Sequence, residues 1–288
     1  MQKKAHLHFW KNAKPHLQAI DDMRDFHKDK ERYFNIQYLT ARDHIIPYIN
    51  EVKRVEAGMR VLEIGCAEAG VLKAFREVGC DCLGIELMEN RTKTAMAFHD
   101  ELDLPGQISF MNQNIYDIDP ENDLPAKFDL IILKDVIEHI PDQEKFIPHL
   151  KHFLNPGGIV FFGFPPWRMP FGGHQQIAQS KFLSYLPYYH LLPRPVFKSV
   201  LNIFGESEGT ITALLEIKDT GISINRFERI MHSAKMNILS RKFWLLNPIY
   251  KYKFGKGPID QIGLISAVPH ARDFLTTAVY YIVSSDQE

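Results

Sequence analysis

The chain has 288 residues, 45% of them apolar, and its 34 basic and 35 acidic residues leave almost no net charge. This length allows one large domain, or a core domain with a sizeable insertion, and enough apolar surface to bury a core. The balanced charge lacks the positive surface on which binding to duplex nucleic acid depends, so a small-molecule partner is favoured over nucleic acid.

The cysteines and the N-terminus indicate the compartment. Cys66, Cys80 and Cys82 are odd in number and lack the paired spacing of a disulfide framework or a zinc site. No metal is therefore predicted. The basic N-terminus is followed by no apolar secretion signal, and no run of eighteen apolar residues is present. The sequence thus predicts a cytoplasmic protein without a membrane span.

The first half of the chain is predicted to contain a helical arm and a sheet domain. Residues 1–54 form the arm, in which residues 1–32 carry no motif. In residues 55–165, segments typical of strands alternate with segments typical of helices, starting at "RVLEIG". The apolar runs "LIIL" and "IVFF" suit strands that helices cover on both faces. This alternation predicts an α/β fold with a doubly wound, Rossmann-like, mostly parallel sheet.

The second half is predicted to cover and then complete that sheet. Residues 166–222 are dense in proline and aromatic residues, unlike a connecting loop, and we expect them to form a helical cap insertion over the carboxyl ends of the strands. Residues 223–288 return to the core sheet. Their segments "MNILSRKFWLL" and "FLTTAVYYIVSS" are expected to form an antiparallel strand pair at the end of the sheet.

The turn Gly65–Gly70 follows the first strand, where open α/β sheets bind their ligands. Glu86 ends the second strand 21 residues after Gly65, and a carboxylate there can accept both hydroxyls of a ribose. A dinucleotide fits this spacing, but its pyrophosphate disfavours a neighbouring acid such as Glu63. A nucleoside cofactor with a cationic amino-acid tail suits Glu63 and tolerates Ala67.

Five ordered segments carry a family resemblance: "VLEIGCAEAG", "GIELMEN", "QNIYD", "FDLIILKDVIEHI" and "LNPGG". They resemble the class I S-adenosylmethionine-dependent methyltransferases, especially the branch that includes ubiquinone-biosynthesis-like small-molecule methyltransferases. The resemblance implies that Glu63 and Gly65 lie near the methionine part, that Glu86 holds the ribose, and that Leu87 or Met88 covers the adenine. Asn114 stands where the family usually has an aspartate that accepts from the adenine amino group. The cofactor-binding residues predicted in this way are Glu63, Gly65, Cys66, Ala67, Gly70, Glu86, Leu87, Met88, Asn114, Ile115, Lys134 and Asp135.

The same resemblance implies the reaction, which is in-line methyl transfer from S-adenosylmethionine to oxygen or carbon of a small acceptor. Lys134 is implied to lie close to the reactive methyl and is predicted to be catalytic. His174, in "PFGGHQQ", is the predicted catalytic base for a hydroxyl acceptor. A structural role for His174 is the alternative, and a carboxylate or carbon acceptor would need no base. For Glu138 a capping or helix-dipole role, and for His139 a packing role, are at least as consistent with the sequence as a chemical role, so neither is predicted to be catalytic.

The acceptor and the partners stay open. Aromatic residues of the cap indicate an apolar or aromatic acceptor pocket; they are Trp167, Phe171, Tyr185, Tyr188 and Tyr189. A cap core or a homodimer contact explains them equally well. A third interpretation is that residues 188–204 contact a membrane surface. Two other functions are also consistent with the sequence: a non-catalytic adenosylmethionine-binding module and a nucleotide-dependent oxidoreductase.

Overall fold

The structure, a computed structural model, describes residues 29–285. Its centre is one eight-stranded sheet. The strand order is β3-β2-β1-β4-β5-β8-β6-β7. Strands β1 to β5 are parallel, and β8 runs antiparallel between β5 and β6. The strands are β1 (Arg60–Ile64), β2 (Asp81–Ile85), β3 (Ile108–Met111), β4 (Phe128–Lys134), β5 (Leu154–Phe164), β6 (Met236–Leu246), β7 (Ile259–Asp260) and β8 (Ala278–Ser285). This confirms the predicted fold, including the antiparallel pair of last strands.

The central strands are apolar because both faces of the sheet are buried. Leu130 and Ile132 of β4 lie in one hydrophobic cluster, whereas Ile131 and Leu133 lie in the other. Successive side chains of a strand point to opposite faces, so each apolar neighbour enters a different core. The run "LIIL" is therefore continuously apolar because both faces of its strand are buried, as the sequence predicted.

Helices cover both faces and extend beyond the sheet. The helices are α1 (Lys30–Thr40), α2 (Ile46–Asn50), α3 (Gly70–Val78), α4 (Glu89–Asp100), α5 (Gln143–His149), α6 (Lys181–Tyr185), α7 (Arg194–Ile203), α8 (Glu208–Thr220), α9 (Ile224–Ser233), α10 (Tyr250–Phe254), α11 (Gly263–Ser266) and α12 (Ala271–Leu275). A π-helical turn, Ala41–Ile45, joins α1 to α2. Among residues 29–285, no helix has the length and apolar character needed to cross a bilayer.

Helix α1 packs closely on the start of α3. A Cβ atom added at Gly70 would lie 2.2 Å from the carbonyl oxygen of Phe34. Gly70 is thus required because a backbone, not a ligand, approaches it. Residues 1–28 of the predicted arm lie outside the described residues, and the predicted division into four segments stays a prediction.

Residues between β5 and α9 form a separate apolar cluster that includes Leu183, Phe197, Leu201 and Leu214. Hydrogen bonds tie this cap to the end of β4. The Gln143 side-chain amide donates to the carbonyl oxygens of Ile137, at 2.8 Å, and Thr220, at 2.7 Å. The Thr220 hydroxyl donates to the Glu138 carbonyl oxygen at 2.7 Å. The end of α8 therefore fixes the backbone that follows β4.

We expect Gly70→Ala to lower the unfolding midpoint, because the added methyl group meets the Phe34 carbonyl and overpacking typically costs about 1–3 kcal/mol. Gly209→Ala in α8 is the matched control, since its Cβ would meet only the Ser207 Oγ at 4.0 Å. Thermal denaturation of both variants measures the difference. Equal midpoints would contradict the close packing of α1 on α3.

Candidate active site

The turn after β1 adopts left-handed backbone at three of its residues. Gly65, Ala67 and Ala69 have φ of 70°, 51° and 60°. For an alanine this conformation costs roughly 1–2 kcal/mol. At Gly65, an added Cβ would lie 2.7 Å from the Val136 Cγ2, so the turn also packs against the segment after β4. The strained alanines are held because the surrounding contacts determine their backbone.

Glu86, at the end of β2, supplies one of these contacts. Its Oε2 accepts a hydrogen bond from the Ala67 N–H at 3.0 Å, and its Oε1 accepts from the Met88 N–H at 2.9 Å. The carboxylate is buried and so connects the turn after β1 with the start of α4. Each carboxylate oxygen retains a further acceptor position, which ribose hydroxyls can use.

Glu63 places a second carboxylate below the same turn. It is buried, and its Oε2 has no hydrogen-bond partner among residues 29–285. Burial, the largest effect, raises the pKa of Glu63 well above the usual range; the Lys134 ammonium opposes this and Glu86 adds to it. A buried acid without a partner is costly in its charged form. A cationic ligand would compensate that charge.

Lys134 and Asp135 complete the floor of the site at the end of β4. The Lys134 Nζ lies 2.5 Å from the Asp135 Oδ2, and Asp135 has left-handed backbone with φ of 56°. Burial alone would lower the pKa of Lys134, but Asp135 and Tyr33 raise it, and the net shift is upward. Lys134 is therefore a charged, paired ammonium group.

A small cavity of about 70 Å³ lies above these residues. The cavity brings together seven of the predicted residues: Glu63, Gly65, Cys66, Ala67, Gly70, Lys134 and Asp135. The sequence did not indicate six further residues that line it: Tyr33, Phe34, Gln37, Glu68, Val71 and Arg91. Three of these come from α1, so the first helix forms a wall of the site.

The other predicted cofactor residues are not among those that line this cavity: Glu86, Leu87, Met88, Asn114 and Ile115. Met88 and Ile115 are buried, and Leu87 is half-buried. The Asn114 Oδ1 accepts a hydrogen bond from the Tyr116 N–H at 3.1 Å and caps a short 3-10 helix. An added Cβ at Gly84 would lie 2.7 Å from the Cys66 Sγ, so this thiol packs on β2.

A polar cluster of Glu138, His139 and His174 lies next to the floor. Its side-chain ligand atoms are all within 4.8 Å of one another. The rings of His139 and His174 are 4.9 Å apart. Burial, followed by the charge of Asp135, raises the pKa of Glu138 well above its usual range. Because Asp135 also lines the cavity, the cluster adjoins it on the side of the cap.

The cap places its aromatic residues in different surroundings. Tyr189 is buried against Phe197, with ring centroids 5.3 Å apart, and belongs to the cap core. Trp167 packs edge-on against His190. Tyr185 is 79% exposed. The glycines that precede His174 serve this packing, since an added Cβ at Gly173 would lie 2.3 Å from the His190 Cβ.

The methyltransferase-domain family model matches residues 37–185, which is 149 of the 288 residues. The chain belongs to this methyltransferase family. The match includes the cavity's turn, the end of β4 and the polar cluster. It confirms the class I S-adenosylmethionine-dependent methyltransferase resemblance, and the expected enzyme class and cofactor agree with it.

Relatives in sequence cover a part of the chain. A ubiquinone biosynthesis O-methyltransferase of Xylella fastidiosa strain M23 is 33% identical over 110 residues, covering 38% of this chain and 43% of that protein. One of Chromobacterium violaceum is 29% identical over 106 residues, covering 37% of this chain and 44% of that protein. The chain thus spans less than half the length of these relatives.

Solved structures of low identity share the fold. Magnesium protoporphyrin IX methyltransferase of Synechocystis PCC 6803 with bound SAH has a TM-score of 0.53 at 13% identity, covering 91% of this chain and 88% of that chain. An S-adenosylmethionine-dependent methyltransferase of Clostridium acetobutylicum has a TM-score of 0.51 at 12% identity, with coverages of 87% and 92%. These likenesses support the Rossmann-like architecture of this methyltransferase.

The residues of the cavity fit S-adenosylmethionine. The unpartnered oxygen of Glu63 suits a cationic group, and Glu86 offers free acceptor positions at the end of β2. Residues of the left-handed turn, from Gly65 to Glu68, line this end of the cavity. The Arg91 Nε lies 3.9 Å from the Glu68 Oε1, so the guanidinium group on that side of the site is paired with a carboxylate.

We expect S-adenosylmethionine binding to release protons. In the free methyltransferase burial raises the pKa of Glu63, and a bound cation lowers it, so affinity should rise with pH between these two values. Glu63→Gln should abolish the release and weaken binding by roughly 1.5–3 kcal/mol. Calorimetry in buffers of different ionisation heat measures both quantities. The exposed Glu101→Gln variant is the control, and equal proton release in wild type and Glu63→Gln would contradict this role.

Glu86→Ala should weaken cofactor binding by about 1–3 kcal/mol, because ribose hydroxyls lose a charged acceptor. It should also lower the unfolding midpoint, since the Ala67 and Met88 N–H groups lose their partner. Calorimetry on the variant, after circular dichroism has verified its fold, separates the two effects. Wild-type affinity in a folded variant would mean that the end of β2 does not contact the ribose.

Proposed function

We propose that this methyltransferase transfers a methyl group from S-adenosylmethionine to a hydroxyl oxygen of a small acceptor that lies under the cap, beside the end of β4. The supporting observation is the cluster of Glu138, His139 and His174, whose Glu138 lies within electrostatic range of Asp135 and Lys134 on the cavity floor. The O-methyltransferase names of the sequence relatives favour oxygen over carbon as the acceptor atom.

The cofactor residues hold and orient rather than react. S-adenosylmethionine, when bound, supplies an electrophilic methyl group on a sulfonium. We assign the ribose to Glu86, the amino-acid tail to the end of β1 at Glu63, and the adenine side to Leu87, Met88, Asn114 and Ile115. Tyr33 and Phe34 of α1 cover the cavity and exclude water, which favours a reaction between oriented partners.

Lys134 has an electrostatic role in this proposal. An ammonium group near a sulfonium would repel it, but Asp135 pairs with Lys134 at 2.5 Å and offsets that charge. With Glu63 and Asp135 both at the floor, a cationic methyl donor meets more negative than positive charge. Lys134 is thus assigned a positioning role. Its ammonium group orients the carboxylates of Glu63 and Asp135 around the methyl donor.

Activation of the acceptor falls to His174 and its neighbours. A hydroxyl is a weak nucleophile until its proton is removed, and His174, the predicted base, is the member of the polar cluster that comes from the cap. Its left-handed backbone, with φ of 51°, and the N–H bond to the Phe171 carbonyl at 3.2 Å hold it in place. The general-base role remains a prediction.

The nature of the acceptor follows from the cap. Its aromatic and apolar residues favour an apolar or aromatic molecule, as expected from the sequence. Some of them point outward: Tyr185 is 79% and Ile203 80% exposed. Contact of the cap with a membrane surface and homodimer formation both remain predictions.

We expect methyl transfer to hydroxyl acceptors when the protein is incubated with methyl-labelled S-adenosylmethionine and extracted small molecules, with labelled ethers detected by mass spectrometry. His174→Ala should keep near wild-type cofactor affinity and lose roughly 10²–10⁴ in turnover. His232→Ala, on the exposed face of α9, is the matched control.

Three results would contradict the proposal. Cofactor binding without any labelled product would favour a non-catalytic adenosylmethionine-binding module. Binding of NAD instead of S-adenosylmethionine would favour an oxidoreductase. Full turnover in the folded His174→Ala variant would assign this histidine a structural role.

A further inference from the structure

We propose that Glu138, His139 and His174 bind a divalent transition-metal ion that contacts the methyl acceptor. This inference rests on the proposed methyl transfer and replaces the general-base role proposed there for His174, because the ion would lie on the acceptor side of the cofactor cavity. The sequence prediction of no metal rested on the cysteines. It did not consider a carboxylate and two imidazoles brought together from separate segments.

The geometry is that of a nearly assembled site. The three ligand atoms lie within 4.8 Å of one another, and the His139 Nε2 is 4.0 Å from the Glu138 Oε1. Donors that each lie 2.0–2.2 Å from a tetrahedral metal are roughly 3.4 Å apart. Side-chain movements of about 1 Å would therefore close the site around an ion.

Glu138 provides an independent observation. Its carboxyl group is buried, and neither oxygen forms a hydrogen bond to another of the described residues. A buried carboxylate normally has a partner or coordinates a metal. Asp135 brings more negative charge to the same place. A cation between Glu138 and the two imidazoles would compensate this charge.

The backbone around the ligands is held by hydrogen bonds from the rest of the protein. Thr220 donates to the Glu138 carbonyl, and Gln143 donates to the Ile137 carbonyl, at 2.7 and 2.8 Å. Such outer contacts orient metal ligands and are typical of metal sites. Two ligands come from the turn after β4 and the third from the cap, so an ion would join these two parts.

The ligand set indicates the kind of ion. Imidazole nitrogen favours zinc, iron and nickel, whereas all-oxygen sites favour magnesium and calcium. Three protein ligands leave at least one coordination position open. A hydroxyl of the acceptor at that position would have a lowered pKa and release its proton to water. Its oxygen would then form a bond to the methyl carbon as the sulfur–carbon bond breaks. In this arrangement His174 acts as a ligand and not as a base.

The experiment uses the 288-residue chain without an affinity tag, freed of metal by a chelator and dialysed. Zn²⁺ is titrated by calorimetry, and Mn²⁺ in a parallel series by electron paramagnetic resonance. We expect Glu138→Gln and His174→Ala to weaken one equivalent of Zn²⁺ binding by more than about 100-fold, beyond the 10–100-fold typical of outer-contact changes. His232→Ala should bind as wild type does.

Histidines bind Zn²⁺, and residues 1–28 also contain four of them. The measured quantity is therefore the one equivalent of Zn²⁺ that the wild type binds and the variants do not. Unchanged Zn²⁺ stoichiometry and affinity in both variants, each folded by circular dichroism, would overturn the inference. So would binding of neither ion by the wild type. Methyl transfer is assayed separately with and without added Zn²⁺. Full transfer in the metal-free protein refutes the metal and leaves the proposed function, whereas Zn²⁺ binding without any transfer refutes the function and leaves the site.

Discussion

The carboxylate of Glu86 holds the active site together because it bonds two backbone segments at once. Its oxygens accept the N–H groups of Ala67 and Met88, so the turn after β1 and the start of α4 depend on one buried side chain. Charge-assisted hydrogen bonds of this kind are stronger than neutral ones. They stabilise a turn in which Ala67 and Ala69 adopt left-handed backbone that alanine otherwise avoids. The same residue thus shapes the turn, and in the proposed function it also holds the ribose.

Electrostatics then select which ligand that turn suits. Glu63 and Asp135 line the cavity together with Lys134, and Lys134 is paired with Asp135. The carboxyl group of Glu63 remains as an uncompensated buried acid whose pKa burial raises. A pyrophosphate would bring further negative charge next to this acid and be repelled by it, whereas a cation would be attracted to it. The sequence already contained this argument, because the acid precedes the glycine turn by two positions.

Sequence periodicity predicted the sheet and its buried strands, since these features follow from local spacing, and the family resemblance implied the seven motif residues that line the cavity. It did not predict the wall formed by Tyr33, Phe34 and Gln37. The decisive contact there is between the Phe34 carbonyl and the Cα of Gly70, and a contact between two backbones leaves no side-chain pattern. The polar cluster was missed for another reason. His174 lies 35 residues from His139 in the chain, and only the folded cap brings it to the end of β4.

The division of labour between the sheet and the cap follows from their hydrogen bonds. The residues lining the cavity come from positions 33 to 135, before the cap begins. The cap reaches this region through Thr220, which bonds the Glu138 carbonyl, and through Gln143, which bonds both Thr220 and Ile137. A substitution in the cap therefore affects Glu138 and His139, through these hydrogen bonds, more directly than it affects Glu63 or Glu86. Under the proposed function, the acceptor chemistry would vary with the cap while the turn assigned to the cofactor stays constant.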